Sequence, residues 1–218
     1  MTWEAEASAM VRSLGPLPPA IAAVMRRVPR HRFVPSSLRT QAYWDEPLPI
    51  GPGETTISAP HMVAIMLEWA ELAAGLTVLE VGSGSGYLAA LLAESIAPSG
   101  RVEAVEIDSE LVRRSTEALG ALGYAERVAV HEADGRAGWP PAAPYDRIVV
   151  SAASPQIEPA WREQLPPDGL LLVPLGNRIE QQFTRLVRRA GTETLEPGPA
   201  VRFVSLRPAE SRIYRPAK

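Results

Sequence analysis

The sequence predicts an α/β protein with a doubly wound, mostly parallel seven-stranded sheet, preceded by N-terminal helices. From residue 78 onward, short apolar runs alternate with helical periodicity, which is typical of strand–helix–strand units in a parallel sheet. The last two predicted strands follow each other without a helix between them, which predicts an antiparallel edge. A chain of 218 residues is long enough for one domain with a full hydrophobic core.

The first 75 residues are predicted to contain helices and one long loop. Helices are expected at 1–14, Pro19–Val28 and His61–Ala73, and Gly75 is the expected stop of the third. The prolines of Val28–Pro35 favour an extended, irregular path. The stretch Tyr43–Pro60 has no periodicity, and a long loop inside a compact domain is often functional.

Residues 76–176 are expected to form a ligand-binding core, and residues 177–218 to add the last strands and a tail. The predicted strands are those starting at Val78 and then Val102–Ile107, Val128–Glu132, Tyr145–Val150, Leu170–Val173, Gln181–Arg189 and Ala200–Leu206. The predicted helices between them are Tyr87–Ile96, Asp108–Leu122 with Asp108 as N-cap, and Ile157–Leu165.

The stretch VLEVGSGSG, Val78–Gly86, is the strongest functional signal in the chain. It reads as a buried strand that ends abruptly in three glycines and turns into a helix. Glycines allow positive φ angles and a close ligand approach, and the helix N-terminus presents unpaired N–H groups. Dinucleotide enzymes use G-x-G-x-x-G, whereas this loop is E-x-G-x-G-x-G, which fits a cofactor without a pyrophosphate better. A glycine-rich turn in a purely structural α/β protein is the alternative.

Two further acids follow predicted strands. Glu106 ends the second strand 20 residues after Gly86, where a carboxylate can accept both hydroxyls of a ribose. Asp134 follows the third strand, where it could accept a hydrogen bond from an adenine amino group or simply cap the turn at Gly135. Because carboxyl ends of parallel strands share one edge, Glu80, Glu106 and Asp134 are expected to converge on one cleft.

Composition narrows the choice of partners. A net charge of -3 and a pI near 5.7 give no indication of nucleic acid or an anionic membrane as partner. There are no cysteines, so thiolate nucleophiles, disulfides and zinc–thiolate sites are excluded. The N-terminus is acidic where a signal peptide would be basic, and no apolar run approaches the ~18 residues of a membrane span. We therefore expect a cytoplasmic monomer.

The glycine loop and its acids resemble those of class I S-adenosylmethionine (AdoMet) methyltransferases, and six blocks narrow the resemblance to the protein-L-isoaspartate O-methyltransferase family. In order they are VPRHRFVP, AYWDEPLPIG, TISAPHM, VLEVGSGSGY, DG…GW…APYDRIVVSAA and QLPPDGLLLVPLG, between Val28 and Gly176. The resemblance implies a Rossmann-like methyltransferase fold. It also implies methyl transfer from AdoMet, without a metal, to the α-carboxylate of L-isoaspartyl residues in damaged proteins and peptides, with S-adenosyl-L-homocysteine as product. The ester then collapses to a succinimide that reopens partly to aspartate.

The resemblance also implies site residues. It places Ser58 in the active site and His61 beside the cofactor. The positions it implies for cofactor binding are Thr56, Ile57, Ser58, His61, Glu80, Gly82, Ser83, Gly84, Gly86, Glu106, Ile107, Asp134 and Gly135. The substrate carboxylate is already ionised at neutral pH, so a hydroxyl that orients it suffices and no general base is needed. The residues alone leave Ser58 open as the N-cap of the following helix, and His61 as a helix-start residue.

The chain departs from the family pattern in three places. The stretch Gly51–Ser58 is one residue longer than usual. This extra residue affects the alignment of Thr55 with the family pattern more than the alignment of Ser58. Ser205 stands where a proline is usual, and the tail RPAESRIYRPAK is basic and unlike typical endings. That region forms part of the substrate cleft in the family. Two other substrates therefore stay open: one aspartate of a dedicated peptide in natural-product maturation, or a small molecule. A non-catalytic nucleotide-binding module is a further alternative, which TISAPHM disfavours.

Overall fold

The computed structural model describes residues 2–51 and 53–208 of the chain. Its α-helices are α1 (Trp3–Ser13), α2 (Pro19–Arg27), α3 (Pro60–Trp69), α4 (Tyr87–Ser95), α5 (Ser109–Ala121) and α6 (Pro159–Glu163). The predicted N-cap of α5 is confirmed, because the Asp108 carboxylate accepts the backbone N–H groups of Glu110 at 3.0 Å and Leu111 at 3.3 Å. Most of the tail, residues 209–218, lies outside the described residues.

The strands form a seven-stranded sheet and a two-stranded hairpin. They are β1 (Leu48–Pro49), β2 (Thr56–Ile57), β3 (Thr77–Val81), β4 (Arg101–Glu106), β5 (Val128–Glu132), β6 (Arg147–Val150), β7 (Leu170–Gly176), β8 (Gln181–Arg189) and β9 (Thr192–Ala200). The large sheet has the order β5-β4-β3-β6-β7-β8-β9. Strands β3 to β7 pair in parallel, and β8 and β9 complete the sheet in antiparallel pairing. The predicted mixed sheet with an antiparallel edge is confirmed.

The sheet is covered unequally on its two faces. Alternate residues of the strands, such as Val78, Val102 and Leu172, belong to one core with apolar side chains of α1 to α5. The other face packs Leu79, Val105 and further strand residues against α6, whose Trp161 is fully buried. Most helical mass therefore lies on one side of the sheet.

The last predicted strand was wrong. The structure places it at Thr192–Ala200, whereas the apolar segment after Ala200 runs on as extended chain with a single parallel bridge between Ser205 and Ala153. Thr192–Ala200 contains Pro197 and Pro199, which disfavour a strand reading but are tolerated on an edge strand. Hydrophobic pattern therefore misidentified which half of this region joins the sheet.

Other elements also differ from the sequence-based prediction. Val28–Pro35 was predicted as extended, but Arg30–Phe33 forms a 3-10 turn, followed by a second at Ser36–Gln41. Helix α3 ends at Trp69 rather than near Ala73, because Glu71 takes a positive φ of 47° that no continuing helix permits. The predicted loop Tyr43–Pro60 contains the short β1–β2 hairpin.

Candidate active site

A cavity of about 290 Å³ lies at the carboxyl ends of the parallel strands. It opens where the strand order reverses, since β3 lies between β4 and β6, and this is where open α/β sheets bind ligands. We call it the strand-end cavity. Its lining residues come from the segments after β3, β4, β5 and β6, from the hairpin and from the extended C-terminal segment; they include Thr56, Gly82, Gly84, Val105, Glu106, Ile107, Gly135, Ser151, Ala152, Val204 and Leu206.

The glycine loop takes the backbone conformation that its sequence predicts. Gly82, Gly84 and Gly86 have φ angles of 84°, 51° and 83°, which side chains rarely adopt. Gly82 and Gly84 line the strand-end cavity, whereas Gly86 does not. A Cβ on Gly86 would lie 3.1 Å from side-chain atoms of Leu119 and Ser115. Gly86 therefore allows α4 to pack closely against α5 rather than facing a ligand.

Glu106 lies where predicted, at the end of β4, and it is 7% exposed. Its Oε2 accepts the Gly84 N–H at 2.9 Å, and its Oε1 accepts the N–H groups of Ile107 at 2.8 Å and Asp108 at 3.1 Å. An ionised carboxylate has about four acceptor positions, so one stays open toward the cavity. Glu106 thus also holds the glycine loop in place.

Glu80 borders a second, smaller space of about 40 Å³ beneath the glycine loop, which we call the inner cavity. Other predicted site residues around it are Thr56, Ile57, Ser58, Gly82, Ser83 and Gly84. Burial, and secondly the charge of Glu106, raise the Glu80 pKa well above its usual range. The nearby Ser151 hydroxyl partly offsets this rise in the Glu80 pKa, although the two side chains do not meet the geometry of a hydrogen bond. Glu80 Oε2 and the hydroxyls of Ser83 and Ser151 have no hydrogen-bond partner among the described residues.

Asp134 does not line any of the described cavities, although its neighbour Gly135 lines the strand-end cavity. Its Oδ1 accepts the Arg136 N–H at 3.0 Å, and its Oδ2 lies 2.8 Å from the Arg136 guanidinium. The carboxylate therefore caps the short 3-10 turn Gly135–Ala137, as the alternative interpretation supposed. Contact between Asp134 and an adenine stays a prediction.

A larger space of about 450 Å³, the lateral cavity, adjoins the strand-end cavity. Thr56, Ser151 and Val204 line both, so the two spaces meet at these residues. Ser58 and His61 line the lateral cavity but not the strand-end cavity. A bound cofactor and a second substrate could therefore occupy neighbouring spaces and meet beside Thr56.

Ser58 is not the N-cap of α3. The N-cap position belongs to Ala59, and the first turn is capped from the loop before β1, where Asp45 Oδ1 accepts the His61 N–H at 2.8 Å. The same oxygen lies 2.9 Å from His61 Nδ1. No hydrogen bond to the Ser58 hydroxyl is found within residues 2–51 and 53–208. The hydroxyl is therefore available to a ligand.

A buried arginine fixes the loop that carries Asp45. Arg30 is 0% exposed, its Nε donates to the Ala42 carbonyl at 2.7 Å, and its Nη2 donates to the Glu46 carbonyl at 3.5 Å. The guanidinium lies over the Tyr87 ring at 5.0 Å, at the start of α4. Residues of the blocks VPRHRFVP and AYWDEPLPIG thus hold Asp45 in position to cap the N-terminus of α3.

Sequence reasoning missed several lining residues. Ser151 and Ala152 directly follow β6, so the rule for parallel strand ends could have found them. No sequence pattern indicates Arg178 and Glu54, because these residues are far apart in the sequence and come into contact only through tertiary folding. Arg178 Nη2 lies 3.2 Å from Glu54 Oε1, and this exposed ion pair borders the strand-end cavity.

No helix in the described part of the chain is long and apolar enough to cross a bilayer. Within the same residues, no group of three or more His, Cys, Asp or Glu side chains could hold a metal ion.

Comparisons with known proteins agree with one another. The family model described as "Protein-L-isoaspartate(D-aspartate) O-methyltransferase (PCMT)" matches residues 11–211. A protein-L-isoaspartate O-methyltransferase of Hyperthermus butylicus is 48% identical over 190 residues, which cover 84% of this chain and 78% of the relative.

Solved structures give the same result. One titled protein-L-isoaspartate O-methyltransferase superposes with a TM-score of 0.84 at 26% identity, covering 94% of this chain and 66% of that one. A structure from Plasmodium falciparum, titled as a putative enzyme of this kind in complex with S-adenosyl-L-homocysteine, has a TM-score of 0.82 at 22% identity, covering 92% and 98%. This second likeness supports the fold.

Proposed function

Because the chain belongs to the protein-L-isoaspartate(D-aspartate) O-methyltransferase family, we propose that it methylates the α-carboxylate of L-isoaspartyl residues in damaged proteins and peptides, with AdoMet as methyl donor. The observation that carries this proposal is the meeting of the strand-end and lateral cavities at Thr56, Ser151 and Val204. The relatives are named for isoaspartyl substrates, which favours repair over a dedicated peptide or a small molecule.

The strand-end cavity suits AdoMet on several counts. Val105, Ile107 and Leu206 offer apolar walls for a purine, and Glu106 retains an acceptor position for a ribose hydroxyl. At the inner cavity, Glu80 Oε2 and the Ser83 hydroxyl are buried without a hydrogen-bond partner in the described part of the chain, so they would bind the polar amino-acid end. When bound, AdoMet supplies an electrophilic methyl group on a sulfonium.

The chain's own residues orient the nucleophile and exclude water. An α-carboxyl group has a pKa of ~3.3–3.7 and is ionised at neutral pH, so no side chain has to remove a proton. The substrate carboxylate would accept this methyl group through one of its oxygens, and S-adenosyl-L-homocysteine would leave as the product. Ser58 lines the lateral cavity, and its hydroxyl has no hydrogen-bond partner among the residues that the structure describes; it would donate a hydrogen bond that aligns this carboxylate.

Labelled AdoMet and a matched pair of peptides test the proposal. One peptide contains an isoaspartyl residue and its twin contains aspartate at the same position. We expect label only in the isoaspartyl peptide, as an ester that base releases as methanol. Equal labelling of both peptides, or of neither, would contradict the proposed substrate.

A further inference from the structure

The lateral cavity is lined by one charged side chain, Arg202, that has no carboxylate partner among the described residues. Its lining residues are mostly apolar, and the ionisable ones among those described are His61 and Arg202. His61 already has Asp45 beside it at 2.9 Å. Arg202 is exposed, and no ion pair to it is found within the described residues. Within the part of the chain that the structure describes, its guanidinium is therefore an unpaired cation at the edge of this space.

The backbone on both sides of Arg202 is held firmly. The Val201 N–H donates to the Gln181 carbonyl at 3.0 Å, and the Phe203 N–H donates to Gln181 Oε1 at 2.6 Å. The Ala153 N–H donates to the Val204 carbonyl at 2.7 Å. These bonds hold the segment against both β8 and the end of β6.

Side-chain alternation then directs Arg202 outward. In an extended chain, successive side chains point to opposite sides. The Phe203 ring stacks against Phe183 with centroids 6.4 Å apart and packs on the core, so Arg202 lies on the opposite side. The charge is thereby presented from a fixed backbone rather than from a free loop.

Arg202 also lies away from the residues where the two cavities meet. Thr56, Ser151 and Val204 line both cavities, whereas Arg202 lines the lateral cavity alone. A carboxylate that receives a methyl group from the strand-end cavity must lie at the shared residues. Arg202 is therefore placed to contact a neighbouring part of the peptide instead.

We propose that Arg202 is a specificity-determining residue that favours isoaspartyl peptides with an acidic side chain two residues before or after the damaged site. This inference rests on the proposed function and adds a substrate preference to it. A rim-exposed ion pair contributes roughly 0.2–1 kcal/mol, which corresponds to about a 1.5- to 5-fold gain in kcat/KM.

The test uses three isoaspartyl peptides that differ only in Glu, Gln or Lys, placed two residues before or two residues after the isoaspartate. We expect the wild-type enzyme to prefer Glu over Gln about 3-fold at one of these positions at least, and Lys to be poorest. Arg202→Gln should remove the preference, and Arg202→Glu should reverse it in favour of Lys. The wild-type preference should weaken with added salt, because exposed charges are screened.

Arg26→Gln provides the matched control, because Arg26 is exposed on α2, lines none of the described cavities and gives the same change in net charge. It should keep the wild-type preference. Equal rates for all peptides in the wild type, or the same preference in Arg202→Gln, would overturn the inference. So would an equal loss for all peptides in Arg202→Gln, since Arg202 would then hold the reacting carboxylate. No methylation of the Gln peptide by the wild type would instead overturn the proposed function itself.

Discussion

At the scale of single residues, Ser58 offers the sharpest test of catalysis, because the structure separates its two possible roles. Asp45, and not Ser58, caps α3. We therefore expect Ser58→Ala to lower kcat/KM about ten- to a hundred-fold, as for one lost hydrogen bond of ~1.5–3 kcal/mol to a charged group. AdoMet affinity should stay nearly unchanged, and stability should change by less than ~0.5 kcal/mol.

Steady-state kinetics, calorimetry with AdoMet and thermal unfolding on one preparation distinguish a catalytic from a structural role of Ser58. Full activity per folded molecule in Ser58→Ala would remove Ser58 from the catalytic machinery. A lower melting temperature with unchanged kinetics would show that Ser58 has a structural role only.

Glu106 combines ligand binding with support of the glycine loop. Glu106→Ala removes the acceptor for the N–H groups of Gly84, Ile107 and Asp108. We expect AdoMet binding to weaken by ~1.5–3 kcal/mol and the ligand-free protein to lose ~1–3 kcal/mol of stability. Isothermal calorimetry and denaturant unfolding measure the two effects separately; an unchanged dissociation constant in a folded variant would exclude Glu106 from the binding site.

Glu80 predicts a pH dependence of stability. Burial raises its pKa in the folded protein above the usual 4.5, so the folded state holds this proton more tightly than the unfolded state. The stabilisation is complete below pH 4.5 and is lost as pH rises through the elevated pKa. Relative to Glu80→Gln, the wild-type free energy of unfolding should therefore fall with rising pH in the absence of ligand.

Urea unfolding of both proteins over a series of pH values provides the measurement. Glu68→Gln, which changes an exposed carboxylate, serves as the control and should follow the wild-type curve. Parallel curves for wild type and Glu80→Gln would show that Glu80 titrates normally.

At the scale of secondary-structure elements, helix α3 depends on a cap from a distant loop. Asp45→Ala leaves the His61 N–H without its acceptor, so we expect a loss of ~1 kcal/mol, within the 0.5–2 kcal/mol typical of caps. Asp45→Asn keeps an oxygen acceptor and should recover most of that loss. Thermal unfolding of these variants beside Thr2→Ala, which removes the N-cap side chain of α1, compares two caps on different helices. Equal destabilisation by Ala and Asn would mean that the charge matters and the cap does not.

Elements with a local cause were the ones that the sequence could predict. The Asp108 cap, the glycine turn and the apolar strand β4 depend on neighbouring residues, and all three lie where expected. The cap at His61 depends on Asp45, which lies 16 residues away in the sequence. Strand β9 is the exception, because it pairs with β8 across a turn of two residues and was still not predicted. Propensity misleads for β9, whose prolines are tolerated only because that strand lies at the edge of the sheet.

The same distinction holds in the site. Glu106 was found because parallel strand ends share one edge, whereas Gly135 was among the positions that the family resemblance implied. Arg178 and Arg202 were not found, because tertiary packing alone brings their segments to the cavities. His61, which the resemblance placed beside the cofactor, lines the lateral cavity.

At the scale of the whole molecule, ligand choice should appear as stabilisation. AdoMet at 100 times its dissociation constant should add about 2.7 kcal/mol, or roughly 5–10 °C in Tm for a chain of this size. NAD should add nothing, because the loop is E-x-G-x-G-x-G and not G-x-G-x-x-G. Differential scanning calorimetry with each compound measures this, and a shift with NAD but not with AdoMet would contradict the fold-level assignment.

The strand-end and lateral cavities share three residues, yet each is open to solvent in its own right. Neither partner of the reaction therefore has to pass through the space of the other. We therefore predict a random kinetic order for the proposed reaction, in which cofactor and peptide bind in either sequence and the demethylated cofactor leaves while the peptide stays bound; initial-rate kinetics with product inhibition measures this order. A damaged protein with several isoaspartyl sites could then receive a second methyl group before it dissociates.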